Sequence, residues 1–264
     1  MYEKLFDKLL KKLIKKKFVI KHFYQIVKIF ILRMLICGVK NKKINNIFLV
    51  VAPHPDDEIF GLGGFLLQQK DTSKCFIAYL TDGEASNLDL EKEEVAKNRI
   101  ELSENVCEKL NIPKENIFRL HLPDSKIPRI NETSFDSAVL MVTDLLQKIK
   151  PENIFVTHPS DIWPYDHVAA YEIVDMAVKN SNIKANLFGY WVWLWYQLPL
   201  KKVKNLNLKN TYRIAIENEK KQKNELIDIY LNKFAANGKP YSGVLPKAFL
   251  KAFEYPYEIV EKLN

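Results

Sequence analysis

The stretch Ile47-Phe48-Leu49-Val50-Val51-Ala52-Pro53-His54-Pro55-Asp56-Asp57-Glu58-Ile59-Phe60-Gly61-Leu62-Gly63-Gly64 joins an apolar run to an imidazole and three acids, then to a glycine-rich segment. The apolar part reads as a strand buried on both faces. Polar groups crowded at the carboxyl end of such a strand cost stability unless a metal ion or substrate uses them. Open α/β sheets bind their ligands at that edge. The motif therefore reads as a metal site. Gly61-Leu62-Gly63-Gly64 is not a dinucleotide loop, because it lacks GxGxxG spacing and follows acids where a pyrophosphate needs bare backbone amides.

Working outward, apolar runs rich in β-branched and aromatic residues recur at 75–80, 117–120, 154–157 and 187–194. Helical patterns fall between most of them, near 61–70, 91–110, 134–149 and 167–180. This alternation predicts an α/β, Rossmann-like fold, a mostly parallel sheet with helices on both faces. Beyond residue 195 the pattern predicts a charged helix around 213–232, a turn at Asn237-Gly238-Lys239-Pro240 and a short apolar helix near 244–253, together covering the sheet edge. The run from Tyr190 to Tyr196 alternates as a strand would, with one face in the core and the other free to stack on a sugar ring.

Charge divides the chain in two. Residues 1–43 hold thirteen Lys and Arg against Glu3 and Asp7, so the formal net charge of +8 belongs to this arm. The remainder, 44–264, reads as one domain with a slight acidic excess, which excludes a nucleic-acid partner for the body. Within the arm Leu5, Leu9, Leu10, Leu13 and Ile14 recur at helical spacing among lysines, and residues 18–37 are apolar but broken by Lys21, Lys28 and Arg33. A basic amphipathic helix follows, too interrupted to span a bilayer and suited to an anionic membrane surface through residues 1–40, or to packing on the domain. Cys37, Cys75 and Cys107 are widely spaced, which points to a reducing, cytoplasmic setting, with a peripheral place on the inner membrane face if the arm docks there.

A catalytic zinc takes three protein ligands and leaves a position for water. His54 and Asp57 lie three apart after the first strand, and His167 follows the fourth strand in Thr157-His158-Pro159-Ser160-Asp161-Ile162-Trp163-Pro164-Tyr165-Asp166-His167. Loops at one sheet edge can meet, so His54, Asp57 and His167 form the expected ligand set. Asp56 is then the general base, and Glu58 supports the loop. His22 and His121 are read as structural.

These residues resemble the zinc-dependent N-acetylglucosaminyl deacetylases of the PIG-L/LmbE type. The likeness rests on Ala52 to Gly64, on Leu80-Thr81-Asp82-Gly83-Glu84, Arg99-Ile100-Glu101-Leu102, Leu122-Pro123-Asp124 and Asp166-His167, and covers residues 46 to about 260. It implies the Rossmann-like LmbE fold, Zn2+ on His54, Asp57 and His167, Asp56 as base, and Arg99 and Asp124 facing the sugar. Relatives often carry an oxyanion-stabilising histidine three residues before the last ligand. Pro164 stands there in this chain, which leaves the metal alone, His158 or Tyr165 to stabilise the oxyanion. The expected activity is removal of an N-acetyl group from an N-acetylated amino sugar, free or lipid-linked, by water that zinc and Asp56 activate. The alternatives are a non-catalytic, membrane-associated sugar-binding protein of the same fold, and the same hydrolysis on another amide.

Overall fold

The computed structural model describes residues 2–44 and 46–264, with side chains from Val19 onward. A long helix α1 (Tyr2–Ile36) precedes the sheet. Then follow β1 (Phe48–Ala52), α2 (Asp57–Leu67), β2 (Cys75–Tyr79), α3 (Lys92–Lys109), β3 (Ile117–Arg119), α4 (Phe135–Ile149), β4 (Asn153–Thr157) and α5 (Tyr165–Ser181). The chain closes with β5 (Asn186–Tyr190), α6 (Leu194–Gln197), β6 (Thr211–Ala215), α7 (Lys220–Leu231), α8 (Lys247–Leu250) and β7 (Tyr257–Lys262). The seven strands form one sheet in the order β3-β2-β1-β4-β5-β7-β6. Strands β1 to β5 run parallel, and β7 lies antiparallel between β5 and β6.

All five residues of β1 are buried. Phe48, Val50 and Ala52 join the core beneath α1, α2 and α7, while Leu49 and Val51 join the core beneath α4 and α5. Apolar side chains are needed on both faces, and for that reason the strand reads as a continuous apolar run. Chain order reverses between β1 and β4, so the loops after these two strands diverge and leave a crevice at their carboxyl ends.

Three expectations are corrected. Helix α2 begins at Asp57, four residues before the predicted start, with Asp57 and Glu58 in its first turn, where acids suit the positive end of the helix dipole. The glycines that follow are interior to the helix and permit close packing. A Cβ on Gly61 would lie 2.2 Å from the Tyr190 ring, and one on Gly64 would lie 2.5 Å from the Ile216 side chain. Second, the fifth strand stops at Tyr190, and the aromatic run turns out of the sheet into α6.

Third, the C-terminal segment does not cover the sheet edge but lengthens it. Residues 211–215, assigned in part to a helix, form β6, and β7 was not expected. Buried acids hide β7 from hydropathy: Glu258 and Glu261 are 4% and 8% exposed. Glu258 is bonded to Lys223 Nζ at 2.6 Å and accepts the Gly64 and Phe65 N–H groups at 2.7 and 2.9 Å. Glu261 meets His158 Nε2 at 2.9 Å.

The buried Lys223–Glu258 pair ties α7 to β7 and, through the two amides, to α2. Lys223→Met leaves a buried carboxylate without its counter-charge, and the expected loss is about 3–5 kcal/mol. Glu225→Gln, which removes an exposed partner of Lys221, is expected to change stability by less than about 0.5 kcal/mol. Urea denaturation midpoints of the two variants check this difference.

Candidate metal centre

The loops after β1, β2, β3 and β4 converge on one crevice. The turn after β1 is held to the β2 loop by Thr81, whose N–H and hydroxyl both donate to the Pro53 carbonyl, at 3.1 and 2.9 Å. It aims His54 and Asp57 at each other: His54 Nδ1 lies 3.1 Å from one Asp57 oxygen, and the other oxygen lies 3.3 Å from His167 Nε2. His167, in the first turn of α5, is fully buried. The three ligand atoms lie within 4.8 Å of one another.

The remaining ring atoms are held by carboxylates, as ligand histidines require. His167 Nδ1 is 3.2 Å from Asp161, which also accepts the Val192 and Trp193 N–H groups at 3.3 and 2.9 Å. His54 Nε2 lies 3.0 Å from Asp166 and 3.2 Å from Asp124. Asp166 in turn accepts the Ser125 and Ile127 N–H groups at 2.6 and 3.1 Å, and Asp124 accepts that of Ala85 at 2.6 Å.

A divalent ion fits this donor set. His167 Nε2 is buried without a hydrogen-bond partner, and its ring is oriented so that this nitrogen faces Asp57. A second group, His54, Asp124 and Asp166, is equally close-set. Its two carboxylates are already committed to loop amides, so they serve His54 as orienting acceptors, and His54, Asp57 and His167 are the better ligand set.

Charge balance supports the same reading. Burial alone would lower both imidazoles, but Asp124, Asp166 and Asp57 raise His54 well above its ordinary value, and Asp57 and Asp161 raise His167 to about 9. Burial opposes ionisation of Asp57, yet His167 and His54 hold it well below the usual carboxylate range. The protein thus presents excess buried negative charge that positive charge, as protons or a metal, must offset.

Asp56 stands at the crevice wall with φ of 130°, a conformation that L residues rarely adopt and that is retained where surrounding contacts over-determine it. Those contacts are the bond from its N–H to Glu58 at 2.9 Å and its carbonyl's acceptance of the Ile59 and Phe60 N–H groups. Glu58, fully buried, also accepts the Tyr230 hydroxyl at 2.6 Å, the loop-supporting position expected of it. Burial pushes the Asp56 carboxyl up to about 7 against the pull of Arg99, 3.2 Å away.

The crevice has a volume of about 430 Å³. His54 and Asp57 lie at its floor beside Asp56; Trp163 and Trp193, with Pro164, form an apolar wall. Arg99 and Asp124 both line the crevice: Arg99 donates to the Pro55 carbonyl and meets Asp56 through Nη2, while its Nε has no hydrogen-bond partner among the described residues, and Asp124 orients His54. His158 is not brought into the crevice. Its Nε2 is taken by Glu261, and its Nδ1 accepts the Ser160 N–H at 2.9 Å, so both nitrogens an oxyanion donor would need are used. Tyr165 lines the crevice with its hydroxyl turned to Glu132 at 3.4 Å. His121 lies outside it, bonded to Asp82 at 2.6 Å.

Asp161 was missed as a functional candidate. Its only sequence signal is position: a lone acid six residues before a ligand histidine, in a loop at the sheet edge.

Residues 49–178 match the family model described as GlcNAc-PI de-N-acetylase (PIG-L). No curated protein sequence matches the chain. Among solved structures, the N,N'-diacetylchitobiose deacetylase of Pyrococcus horikoshii is 20% identical, with 73% of this chain and 72% of that chain covered and a TM-score of 0.55. The A40926 pseudoaglycone deacetylase is 14% identical, with 82% and 96% covered and a TM-score of 0.58. The 4-carboxy-2-hydroxymuconate hydratase of Pseudomonas putida is also 14% identical, with 70% and 78% covered and a TM-score of 0.52. At these identities the likeness establishes the fold, and a hydratase among the neighbours shows that the fold alone does not select the reaction. The stretch from Leu49 to Val178, which carries all the residues of the candidate metal centre, is thus similar to the PIG-L family.

Proposed function

We propose that the protein is a zinc-dependent hydrolase that removes an N-acetyl group from an N-acetylated amino sugar. The observation that carries this reading is the pairing of an orphaned, buried His167 Nε2, set against Asp57 and His54, with a second carboxylate, Asp56, that is left free of the ligand set. The deacetylases among the structural neighbours and the PIG-L family match support it.

His54, Asp57 and His167 would hold the ion, with Asp161, Asp124 and Asp166 fixing the imidazole orientations. A bound divalent ion supplies Lewis acidity, lowering the pKa of water and polarising the amide carbonyl. The second role is the heavier here, because Pro164 offers no donor and His158 is engaged elsewhere. Asp56 accepts a proton from water as the oxygen bonds to the carbonyl carbon, and returns it to the nitrogen as the C–N bond breaks, leaving acetate and a free amine. Arg99 keeps the Asp56 carboxylate aimed into the crevice. The exposed Trp163 and the neighbouring Trp193 supply an apolar wall for a sugar ring.

Two variants separate the roles. Asp56→Ala is expected to bind about one zinc per chain, as the parent does, and to lose at least a hundredfold in acetate release. Asp161→Asn is expected to fold and to bind zinc roughly 10–100-fold more weakly. Its acetate release should recover when excess zinc is added, and that of Asp56→Ala should not. Zinc titration by calorimetry, with acetate assayed against free, nucleotide-linked and lipid-linked N-acetylhexosamines, reads both. Full activity in Asp56→Ala refutes the mechanism, and a zinc-loaded parent that binds these sugars without releasing acetate marks a binding protein instead.

A further inference from the structure

From Val19 onward, helix α1 packs on the domain by one face. Gln25, Lys28, Ile29, Leu32 and Ile36 are buried against the body. On the opposite side Ile20, Phe23, Val27, Phe30, Ile31 and Met34 form a continuous apolar stripe, with Phe23 68% and Met34 58% exposed. The charges that interrupt this segment in the sequence do not interrupt the stripe. Lys28 donates to the Tyr196 carbonyl, Arg33 donates to the Tyr257 hydroxyl at 3.1 Å, and Lys21 shares a helical row with Gln25, Lys28 and Leu32. The polar positions thus belong to the domain side, and the outward face is uncharged.

An exposed apolar stripe of this extent marks a docking surface. We propose that it docks on an anionic phospholipid monolayer. The choice of occupant follows from charge. The stripe continues an N-terminal segment rich in lysine, and residues 1–43 carry thirteen basic residues against two acidic ones. Such a segment is drawn to anionic headgroups, while an apolar face inserts below them. A second copy of the chain would set two strongly positive segments side by side. Among the described residues no helix is long and apolar enough to cross the membrane, so the helix lies along the surface.

The docking helix adjoins the crevice. Lys28 on α1 holds Tyr196; Tyr196 packs on Trp193, with ring centroids 6.0 Å apart; and Trp193 packs edge-on to Trp163 at 4.6 Å. Trp163, 51% exposed, stands at the crevice mouth. A chain docked through α1 holds that mouth near the headgroup layer, and this placement does not depend on what the crevice turns over.

Co-sedimentation of the full-length protein with vesicles tests the docking without any assay of turnover. The protein is expected to pellet with phosphatidylcholine and phosphatidylglycerol in a roughly 3:1 mixture, and to stay in solution with phosphatidylcholine alone. Phe23→Glu/Phe30→Glu, both on the exposed stripe, should keep the parent's melting temperature and lower the partition coefficient roughly a hundredfold. A parent that stays in solution with anionic vesicles overturns the proposal, as does a double variant that pellets like the parent. A parent dimer that this variant splits, without vesicle binding, assigns the face to a second copy and also overturns it. Vesicles with brominated acyl chains should quench tryptophan fluorescence in the parent and much less in Trp163→Phe. Equal quenching in the two overturns the placement of the crevice at the surface.

Discussion

Five buried aspartates, Asp56, Asp57, Asp124, Asp161 and Asp166, surround two imidazoles at the point where the order of the strands reverses. Charge at this density cannot be left unpaired in a low-dielectric interior, and the surrounding structure is arranged to satisfy it. The same carboxylates that orient the histidines also accept backbone N–H groups from loops distant in sequence. Asp124 takes Ala85, Asp166 takes Ser125 and Ile127, and Asp161 takes Val192 and Trp193. The loops after four strands are thereby fixed to one centre, and a single set of groups serves both folding and chemistry.

How far this could be read from sequence depended on whether a residue's partners lie close in the chain. Phe48 to Ala52 announces a strand buried on both faces, because each residue alone reports its environment. His54, Asp56, Asp57 and Glu58 were legible because one short turn carries them, and His167 because a second loop opens a helix in the same way. What was hidden is what distant pairing makes possible. Glu258 and Glu261 are tolerated in a buried strand only because Lys223 and His158 meet them, so β7 reads as polar and His158 reads as free. Arg99 and Asp124 reach the crevice as expected, and their contacts with Asp56 and His54 are facts of packing that no local pattern contains.

The arm shows the same limit in reverse. Lys21, Lys28 and Arg33 look like interruptions of an apolar helix when read along the sequence. In the folded chain they lie on the side that faces the domain, where a backbone carbonyl and a tyrosine hydroxyl receive Lys28 and Arg33. The helix packs through Ile29, Leu32 and Ile36 and exposes a second apolar row on its far side, where a surface helix usually carries polar residues.

The shared carboxylate of Asp161 has a thermodynamic consequence. One side chain holds the ring of His167 and the amides of Val192 and Trp193, so the centre and the aromatic wall are two ends of a single lever. Any molecule that rests against Trp193 and shifts its backbone changes the hold on His167. By reciprocity, filling the centre changes how well the wall receives a ring by the same free energy. Occupancy of the centre and occupancy of the wall would therefore be linked, and a measurement of either one would carry the other within it.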